Sequence, residues 1–554
     1  METRICKKCG RDMVLRKNRK TKRKFYGCSG YPKCDGVENI KQNYVKIERP
    51  DSVKLKFELT PQQKAIHEAF ASYNGNIAVN ATAGSAKTTT SASGTEYFDR
   101  NLSIAFISFA RDIANSNMEK TPKHVHCSTF NSLGGQNIKA QFPDSEMVED
   151  RKLEMILDDL ISTFKNVGTE IKDMKDNKHT MKNVIEHLQN YMLDPTEENI
   201  DWVMNKHHLV FDAETPSNEK LFYKAISFGL KRSFKTEGIY DFGDQIYWCA
   251  RGKVICKKFD IIIVDEAQDT NKAQREMIKR SLKVGGRVIV VGDKFQSIMS
   301  FRGADTKAME LLTEEFKCKQ FPLSVSFRCS KAIGRAINRE FPHIEFSVME
   351  NAVEGSEEWI SKSEMTQLVK SGDMVLCRNN APLVKPCFEL IKNGIKAIIK
   401  GRNIGDELMG LIDYLLRKSH GQVKTLPQLI NSLDGYRSTQ TLRLAQKKNM
   451  AGAIEAMNDK VDTIFAIMET TESISELSQT IDRLFTDNPY EAIVFSSIHK
   501  SKGLEADNIF IIREELIPSP MAITEDEMQQ EENIKFIAYS RGKINLYHVT
   551  EDIL

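Results

Sequence analysis

Residues 258–274 read KFDIIIVDEAQDTNKAQ, with four consecutive β-branched side chains directly before an Asp-Glu pair. Such an uninterrupted apolar run is typical of a central strand in a parallel sheet that is covered on both faces. Ligands of these sheets bind beyond the carboxyl ends of the strands, where Asp265 and Glu266 lie. The stretch therefore predicts an α/β fold in which Asp265 holds Mg²⁺ and Glu266 activates a water molecule. The alternative is an acidic turn that caps a helix.

A loop of small residues occurs earlier, in NIAVNATAGSAKTTT at residues 76–90, between a short apolar strand and the start of a helix. In this context backbone N–H groups and the helix dipole face an anion. The loop is similar to the phosphate-binding pattern G-x-x-x-x-G-K-[ST], with Ala81 and Ala86 in place of its glycines. Lys87 is predicted to hold the β- and γ-phosphates of a nucleotide, and Thr88 to ligate Mg²⁺. The predicted nucleotide contacts of the loop are Ala83, Gly84, Ser85, Ala86, Lys87, Thr88 and Thr89.

A third strand is predicted in GGRVIVVGDKFQSIMSFRGA, residues 285–304. Gln296 follows this strand and is predicted to sense the γ-phosphate, while Phe301 and Arg302 face another ligand. The alternative for Phe301 and Arg302 is packing and a surface ion pair.

The composition is that of a globular protein, with 40% hydrophobic and 28% charged residues among 554. A chain of this length predicts three or more packed units. No apolar run approaches the roughly 20 residues that a membrane-spanning helix needs, and the N-terminus is basic and polar. We therefore expect a cytoplasmic protein without a membrane partner.

The first 40 residues differ from the rest in charge and in cysteine content. They contain 12 Lys and Arg against 4 Asp and Glu, a net charge of +8, which leaves −5 for the remainder. The close pairs Cys6-x2-Cys9 and Cys28-x5-Cys34 predict one tetrahedral zinc site, since so short a segment needs such a staple to fold. The alternative is four unrelated cysteines. The other seven cysteines have no ligand-like spacing and are expected to be reduced thiols.

Between the two cysteine pairs lies a basic run that ends in two aromatic residues. Cations contact phosphates and aromatic faces stack on exposed bases, which is the combination that single-strand binders use. Alternatively, the run RKNRKTKRK at residues 16–24 is a solvated face or a nuclear address. The predicted nucleic-acid contacts here are Arg19, Lys22, Phe25 and Tyr26. GCSGYPKC, residues 27–34, resembles the four-cysteine zinc ribbons of bacterial type I topoisomerases, which bind DNA.

The larger part of the chain resembles the UvrD/Rep-like branch of superfamily 1 helicases in the order of its motifs. In that family the loop reads A-x-x-G-x-G-K-T, so Ala81 is the usual residue and Ala86 departs from the pattern. Asn131 replaces a usual His, and Met299 replaces an aromatic residue. The matching stretches are FELTPQQKAI (57–66), ATAGSAKTTT (81–90), AFISFARDIANSN (105–117), STFNSLGG (128–135), DFGDQIYW (241–248), VDEAQD (264–269), VGDKFQSIMSFRGA (291–304), LSVSFRCS (323–330), DMVLCRNNA (373–381), FSSIHKSKGLEADNIFII (495–512) and EENIKFIAYSRGKINLYHV (531–549).

The resemblance implies a role for each motif. At the nucleotide it implies Gln63 as the reader of adenine, Phe327 stacked on adenine, Arg328 and the second arginine finger Arg541 at the γ-phosphate, and Gly503 and Glu505 nearby. At the nucleic acid it implies Phe109, Thr129, Phe130, Asn131, Phe301, Arg302 and His499.

The resemblance also implies two RecA-like parallel-sheet lobes. The expected domains are a zinc ribbon over 1–46, a first lobe over 47–320 with a helical insertion at about 140–235, and a second lobe over 321–554 with one at about 403–485. The implied function is an ATP-dependent, DNA-stimulated helicase or translocase moving 3′ to 5′ on single-stranded DNA, in replication, repair or recombination. Its implied ligands are ATP, Mg²⁺, Zn²⁺ and single-stranded or tailed duplex DNA, with replication or repair proteins as candidate partners. The resemblance also implies a nucleoid-associated protein of bacterial or phage type. The alternative is an ATP-gated clamp or remodelling subunit that binds DNA structures without processive unwinding.

Overall fold

The structure is a computed structural model that divides into two compact units, Met1–Glu48 and Arg49–Leu554. It describes residues 6, 8–9, 13–17, 24–29, 34, 37–39, 58–149, 151–164, 174–175, 177–207, 209, 211, 216–298, 307–419, 421–445, 451–487 and 491–550. Within these ranges no helix combines the length and the apolar character needed to cross a lipid bilayer.

The smaller unit contains a three-stranded antiparallel sheet in the order β1-β2-β3, formed by β1 (Met13–Lys17), β2 (Lys24–Cys28) and β3 (Val37–Asn39). Phe25 and Tyr26 lie on β2, whereas Arg19 and Lys22 lie outside the described residues. Cys28, at the end of β2, is buried.

The first half of the larger unit is an α/β arrangement. Its strands are β4 (Ile77–Ala81), β5 (Ile104–Ser108), β6 (Val125–Thr129), β7 (Glu146–Met147), β8 (Ile239–Tyr240), β9 (Phe259–Val264), β10 (Leu282–Gly292) and β11 (Lys319–Leu323). Its helices are α1 (Pro61–Ser72), α2 (Lys87–Gly94), α3 (Arg111–Lys120), α4 (Phe130–Gln141), α5 (Arg151–Phe164), α6 (Lys178–Asn190), α7 (Glu197–Lys206), α8 (Pro216–Lys235), α9 (Phe242–Arg251), α10 (Lys272–Ser281) and α11 (Ala308–Glu315).

Six parallel strands form the first sheet, in the order β11-β4-β10-β9-β5-β6. Strand β9 lies between β10 and β5, and its residues Ile262, Ile263 and Val264 are fully buried. The predicted central strand and the α/β class are therefore confirmed. Strand β11 pairs with β4 and extends the first sheet to Leu323, beyond the expected division after residue 320.

Helices α5 to α8 form a helical insertion in the first half, and the short parallel strands β7 and β8 lie at its two ends. Their buried residues Leu157, Val184 and Ile226 share one hydrophobic cluster with Ile262 of β9 and Trp248 of α9. Burial against the sheet, rather than a separate core, therefore holds these helices in place.

A buried ion pair joins this helical insertion to helix α9. Lys152 Nζ on α5 donates to Asp244 Oδ2 on α9 at 2.7 Å and to the Ser233 carbonyl at 2.8 Å, and it lies 4.6 Å from the centre of the Trp248 ring. Both charged side chains are fully buried. Burial raises the pKa of Asp244, and the Lys152 ammonium opposes that rise.

Removing one partner of this pair should lower the stability of the larger unit strongly. Lys152→Met leaves the Asp244 carboxylate buried without its cation, which typically costs about 3–5 kcal/mol. The measurement is the urea midpoint followed by tryptophan fluorescence. Lys178→Met, at an exposed pair with Asp158, is the matched control and should cost no more than about 1 kcal/mol. An equal effect of the two changes would contradict a structural role of the buried pair.

The second half of the larger unit contains another parallel sheet. Its strands are β12 (Val325–Ser326), β13 (Ser347–Val348), β14 (Ser356–Ser361), β15 (Met374–Cys377), β16 (Ala397–Lys400), β17 (Phe485–Thr486), β18 (Ile493–Ser497), β19 (Ala506–Ile512) and β20 (Gly542–Thr550). Its helices are α12 (Lys331–Glu340), α13 (Lys362–Leu368), α14 (Ala381–Lys392), α15 (Arg402–Lys418), α16 (Leu426–Ala445), α17 (Ala451–Met468), α18 (Ile474–Leu484), α19 (Ile498–Ser501) and α20 (Glu525–Tyr539).

Seven of these strands form the second sheet, in the order β14-β20-β19-β15-β18-β16-β17, and all pairings are parallel. Helices α15 to α18 cover one face, and Asp459 of α17 accepts hydrogen bonds from the backbone N–H groups of Asn380 and Ala381, both at 3.0 Å. This carboxylate lies at the N-terminus of α14, where the helix dipole favours negative charge.

Candidate functional site

The loop between β4 and α2 has the geometry of an anion cradle. Gly84 and Ala86 both have left-handed backbone conformations, with φ of 72° and 58°. Ala86 is the N-cap of α2, so the free N–H groups of the first helical turn begin at Lys87. A Cβ on Gly84 would lie 2.5 Å from Ser326 Oγ, which shows how closely this loop approaches the second half of the unit.

The methyl group of Ala86 stays compatible with this loop only because alanine tolerates the left-handed region better than branched residues do. Ala86→Val should therefore weaken nucleotide binding by about tenfold or more, because the strain displaces the loop. Ala86→Gly should bind at least as tightly as the unaltered protein, since glycine adopts this φ freely. Titration with a fluorescent ATP analogue measures both. Ala71→Val, on the exposed face of α1, is the control. Unchanged affinity in Ala86→Val would contradict the strained cradle.

Carboxylates at the end of β9 meet the loop residues. Thr88 Oγ1 donates to Asp265 Oδ2 at 2.7 Å, and Lys87 Nζ lies 3.0 Å from Glu266 Oε1. Gln268 Nε2 donates to Glu266 Oε2 at 2.6 Å and fixes the orientation of that carboxylate. A hydroxyl beside a buried carboxylate is an oxygen ligand set that suits Mg²⁺.

The pKa values of Lys87, Glu266 and Asp265 depend on the charges of their neighbours. Burial alone would lower the pKa of Lys87, but the charges of Glu266 and Asp293 raise it. Burial alone would raise the pKa of Glu266, but the cations of Lys87 and Lys502 lower it. Burial, together with the Glu266 charge, raises the pKa of Asp265. The cluster therefore favours an ammonium at Lys87 and an ionised carboxylate at Glu266.

Two arginines approach the cluster from the second half of the unit. Arg328 Nε donates to Glu505 Oε2 at 2.8 Å, and its Nη1 donates to the Ser540 carbonyl at 3.1 Å. Arg541 Nη2 donates to Gln296 Oε1 at 3.3 Å. Burial, followed by the charge of Arg328, lowers the pKa of Arg541 to about 10, so it remains a cation at neutral pH.

A cavity of about 750 Å³ brings most of the predicted nucleotide residues together. Asp265 lies behind it, bonded to Thr88. The predicted residues that line the cavity are Gly84, Ser85, Ala86, Lys87, Thr88, Thr89, Phe109, Asn131, Glu266, Gln296, Arg328, Gly503 and Arg541.

Other predicted nucleotide residues lie elsewhere. Gln63 is fully buried and forms a capping box with Thr60, and its Nε2 donates to Thr90 Oγ1 at 2.9 Å, so both amide atoms already have protein partners. Ala83 is buried in the hydrophobic cluster of the second half. Phe327 is 41% exposed, and its backbone N–H donates to the Gly84 carbonyl at 2.9 Å.

The residues predicted to contact nucleic acid differ in exposure and in hydrogen bonding. Phe109 is 37% exposed and lies edge-on to the buried Phe130, with ring centres 6.2 Å apart. Asn131 Nδ2 donates to the Phe242 carbonyl at 2.8 Å, and Thr129 caps α4. Burial, with the Arg378 charge, lowers the pKa of His499 to about 4, which makes it neutral. Phe301 and Arg302 lie outside the described residues.

The four cysteines of the smaller unit converge as predicted. All four Sγ atoms of Cys6, Cys9, Cys28 and Cys34 lie within 4.8 Å of one another. The Cys6–Cys34 and Cys9–Cys28 sulfur distances are 3.8 Å and 3.3 Å, close to the roughly 3.8 Å that tetrahedral zinc with Zn–S bonds of about 2.3 Å requires. A hydrogen bond from the Lys8 backbone lowers the pKa of Cys6 to about 7, which favours the thiolate that zinc binds.

Lys502 forms a bridge across the cavity that its sequence motif did not predict. Lys502 Nζ lies 2.7 Å from both carboxylate oxygens of Asp269 and from the Gln296 carbonyl. Asn533 Nδ2 donates to the Ser297 carbonyl at 3.1 Å. Lys502 and Asp269 lie inside matched motifs, which was the available signal, whereas nothing in the sequence pairs Asn533 with Ser297.

Comparison with known proteins agrees with this geometry. The chain is 25% identical over 345 residues to the ATP-dependent DNA helicase Rep of Buchnera aphidicola subsp. Schizaphis graminum, covering 55% of this chain and 49% of that protein. It is 24% identical over 541 residues to the F-box DNA helicase protein 1 of Schizosaccharomyces pombe, covering 93% and 59%. It is 40% identical over 82 residues to the ATP-dependent DNA helicase Rep of Escherichia coli, covering 15% and 12%. The chain thus spans less than two thirds of each relative.

Two family models match separate parts of the chain. Residues 59–317 match the UvrD/REP helicase N-terminal domain, and residues 3–43 match the topoisomerase DNA-binding C4 zinc finger. Both resemblances predicted from the motifs are confirmed. Residues 59–317 are therefore similar to the UvrD/REP helicase N-terminal domain, and residues 3–43 are similar to the topoisomerase DNA-binding C4 zinc finger.

Proposed function

We propose that the chain is an ATP-dependent DNA helicase or translocase that moves 3′ to 5′ on single-stranded DNA and couples ATP hydrolysis to duplex unwinding. One observation carries this proposal. Lys87 and Glu266 from the first sheet line the same cavity as Arg328 and Arg541 from the second half. Phosphoryl transfer needs positive charge around the β- and γ-phosphates, and this cavity supplies it from both sides.

In the proposed reaction Lys87 and the N–H groups at the start of α2 bind the phosphates. Thr88 and Asp265 would hold Mg²⁺, which contributes positive charge at the β- and γ-oxygens when bound. Glu266 orients a water molecule and accepts its proton, for which the ionised carboxylate is the required form. Arg328 and Arg541 stabilise the charge that develops on the γ-phosphate.

Both halves of the unit contribute residues to this site. All of these residues can therefore surround the nucleotide only when the two halves are close together. Closure around ATP and opening after hydrolysis would change the distance between the halves in each cycle. Phe109 and Asn131, candidate contacts of the single strand, line the same cavity. We infer that hydrolysis is in this way coupled to movement along the strand, with Phe327 stacked on adenine and His499 near the DNA.

The zinc ribbon is proposed as an additional DNA contact. A four-cysteine cluster suited to Zn²⁺ supports this role, as does the match to a DNA-binding finger family. The proposed domains are the ribbon over 1–46 and two RecA-like lobes, each with its helical insertion. Tailed duplex DNA is the proposed substrate.

Strand displacement tests the proposal. The protein should separate a 3′-tailed duplex in the presence of ATP, and Glu266→Gln should lose this activity while still binding the DNA, because an amide accepts no proton from water. Glu354→Gln, at an exposed pair with Arg335, is the matched control and should unwind normally. DNA-stimulated ATP hydrolysis without displacement on any tail would favour the ATP-gated clamp instead.

A further inference from the structure

The turn that follows β10 belongs to the first half of the unit by sequence but packs into the second. Phe295 lies edge-on to Phe536 of α20, with ring centres 6.0 Å apart, and close to His343. Ile298 is 1% exposed and belongs to the hydrophobic cluster that contains Ile333 and Ile537. The segment Lys294–Ile298 is therefore anchored in the core of the second half, although it begins only two residues after Gly292, the last residue of β10.

Asn533 of α20 ties the backbone of this segment to the second half. Its side chain is 4% exposed, and Nδ2 donates to the carbonyls of Ser297 at 3.1 Å and Lys294 at 3.5 Å. Gln529 Nε2 donates to Asn533 Oδ1 at 3.3 Å. This contact fixes the orientation of the amide, because its oxygen faces a donor and its nitrogen faces two acceptors.

Gln296 lies in the middle of the turn that Asn533 holds. Its Nε2 donates to Asp293 Oδ2 at 2.6 Å in the first half, and its Oε1 accepts from Arg541 at 3.3 Å in the second. Its carbonyl accepts from Lys502 at 2.7 Å. A displacement of the turn would therefore move Gln296 relative to Arg541 at the phosphate end of the cavity.

We propose that Asn533 is a positioning residue for ATP hydrolysis. It holds the Lys294–Ser297 turn on α20 and thereby keeps Gln296 in register with Arg541. Asn533 does not line the cavity, so it acts through Gln296 and not on the nucleotide. The proposal rests on the proposed function and extends it to a residue outside the matched nucleotide positions.

Asn533→Asp tests this role, because the change keeps the size of the side chain and the acceptor for Gln529 but places a carboxylate oxygen against two carbonyls. The kcat for DNA-stimulated ATP hydrolysis should fall by about tenfold or more, as for loss of a buried hydrogen bond with an unpaired group left behind. The Kd of a non-hydrolysable ATP analogue should change less than about twofold, since the residues that bind phosphate are untouched. Asn533→Gln, which retains an amide donor, should recover part of the kcat that Asn533→Asp loses.

Asn393→Asp makes the same chemical change at an exposed position after α14 and should leave kcat unaltered. Wild-type kcat in both Asn533 variants would overturn the proposal. A parallel loss of analogue affinity and melting temperature in both would also overturn it, because that pattern indicates a purely structural role. Absence of ATP hydrolysis in the unaltered protein would instead refute the proposed function.

Discussion

Lys87→Ala should reduce ATP turnover by about 10²- to 10³-fold while single-stranded DNA binding persists. The Lys87 ammonium lies at the start of α2 and 3.0 Å from Glu266, so its loss removes a cation from the phosphate end of the cavity. The candidate contacts of the strand, such as Phe109 and Asn131, are unchanged by this substitution. The measurements are the steady-state rate of phosphate release and the anisotropy of a labelled oligonucleotide.

Lys64→Ala, on the exposed face of α1, is the matched control and should turn over ATP at the normal rate. If Lys87→Ala retained normal turnover, the assignment of the loop between β4 and α2 as the phosphate site would be wrong.

Cys28→Ser should abolish zinc binding by the smaller unit. Its buried Sγ is one of four within 4.8 Å, and a hydroxyl is a far weaker zinc ligand than a thiolate. Metal analysis of the purified protein should give about one zinc per chain for the wild type and close to none for the variant. Because the metal supplies folding free energy in so small a domain, protease cleavage within residues 1–46 should become faster.

Cys318→Ser is the matched control, because Cys318 is a free thiol remote in sequence from the cluster. Its zinc content should equal that of the wild type. An unchanged zinc content in Cys28→Ser would rule out the four-cysteine site.

The central strand was predictable because a few consecutive residues carry the signal for it. Four β-branched residues in a row, Ile261 to Val264, require burial on both faces, and β9 meets that requirement between β10 and β5. The cysteine cluster was predictable for a similar reason, since ligand spacing within a short segment leaves few ways to bring four sulfurs together.

For Gln63, the role that the family motif implies differs from the role that the local sequence pattern implies. The resemblance places Gln63 at adenine, and that assignment stays a prediction. The pattern Thr60-x-x-Gln63 is also a capping box, which the structure contains. In the structure Gln63 is fully buried, and its amide bonds to Thr60 and Thr90, which leaves one N–H and one oxygen lone pair for a further partner.

Long-range pairings were beyond prediction from one sequence. Lys152 and Asp244 are 92 residues apart, and Asn533 and Ser297 are 236 apart. Neither pair has a periodic or spacing signal, because each depends on how separate helices pack. The same holds for β11, since nothing in its sequence KQFPL indicates that its partner is β4.

The central claim is that the two halves of the larger unit form one site for DNA-stimulated ATP hydrolysis. The most direct test is the rate of ATP hydrolysis by the full chain with Mg²⁺, measured without nucleic acid and with saturating single-stranded DNA, forked DNA or RNA. We expect slow hydrolysis without nucleic acid and a rise of at least about tenfold with single-stranded DNA. A rate that is the same with and without DNA, or no hydrolysis under any of these conditions, would contradict it.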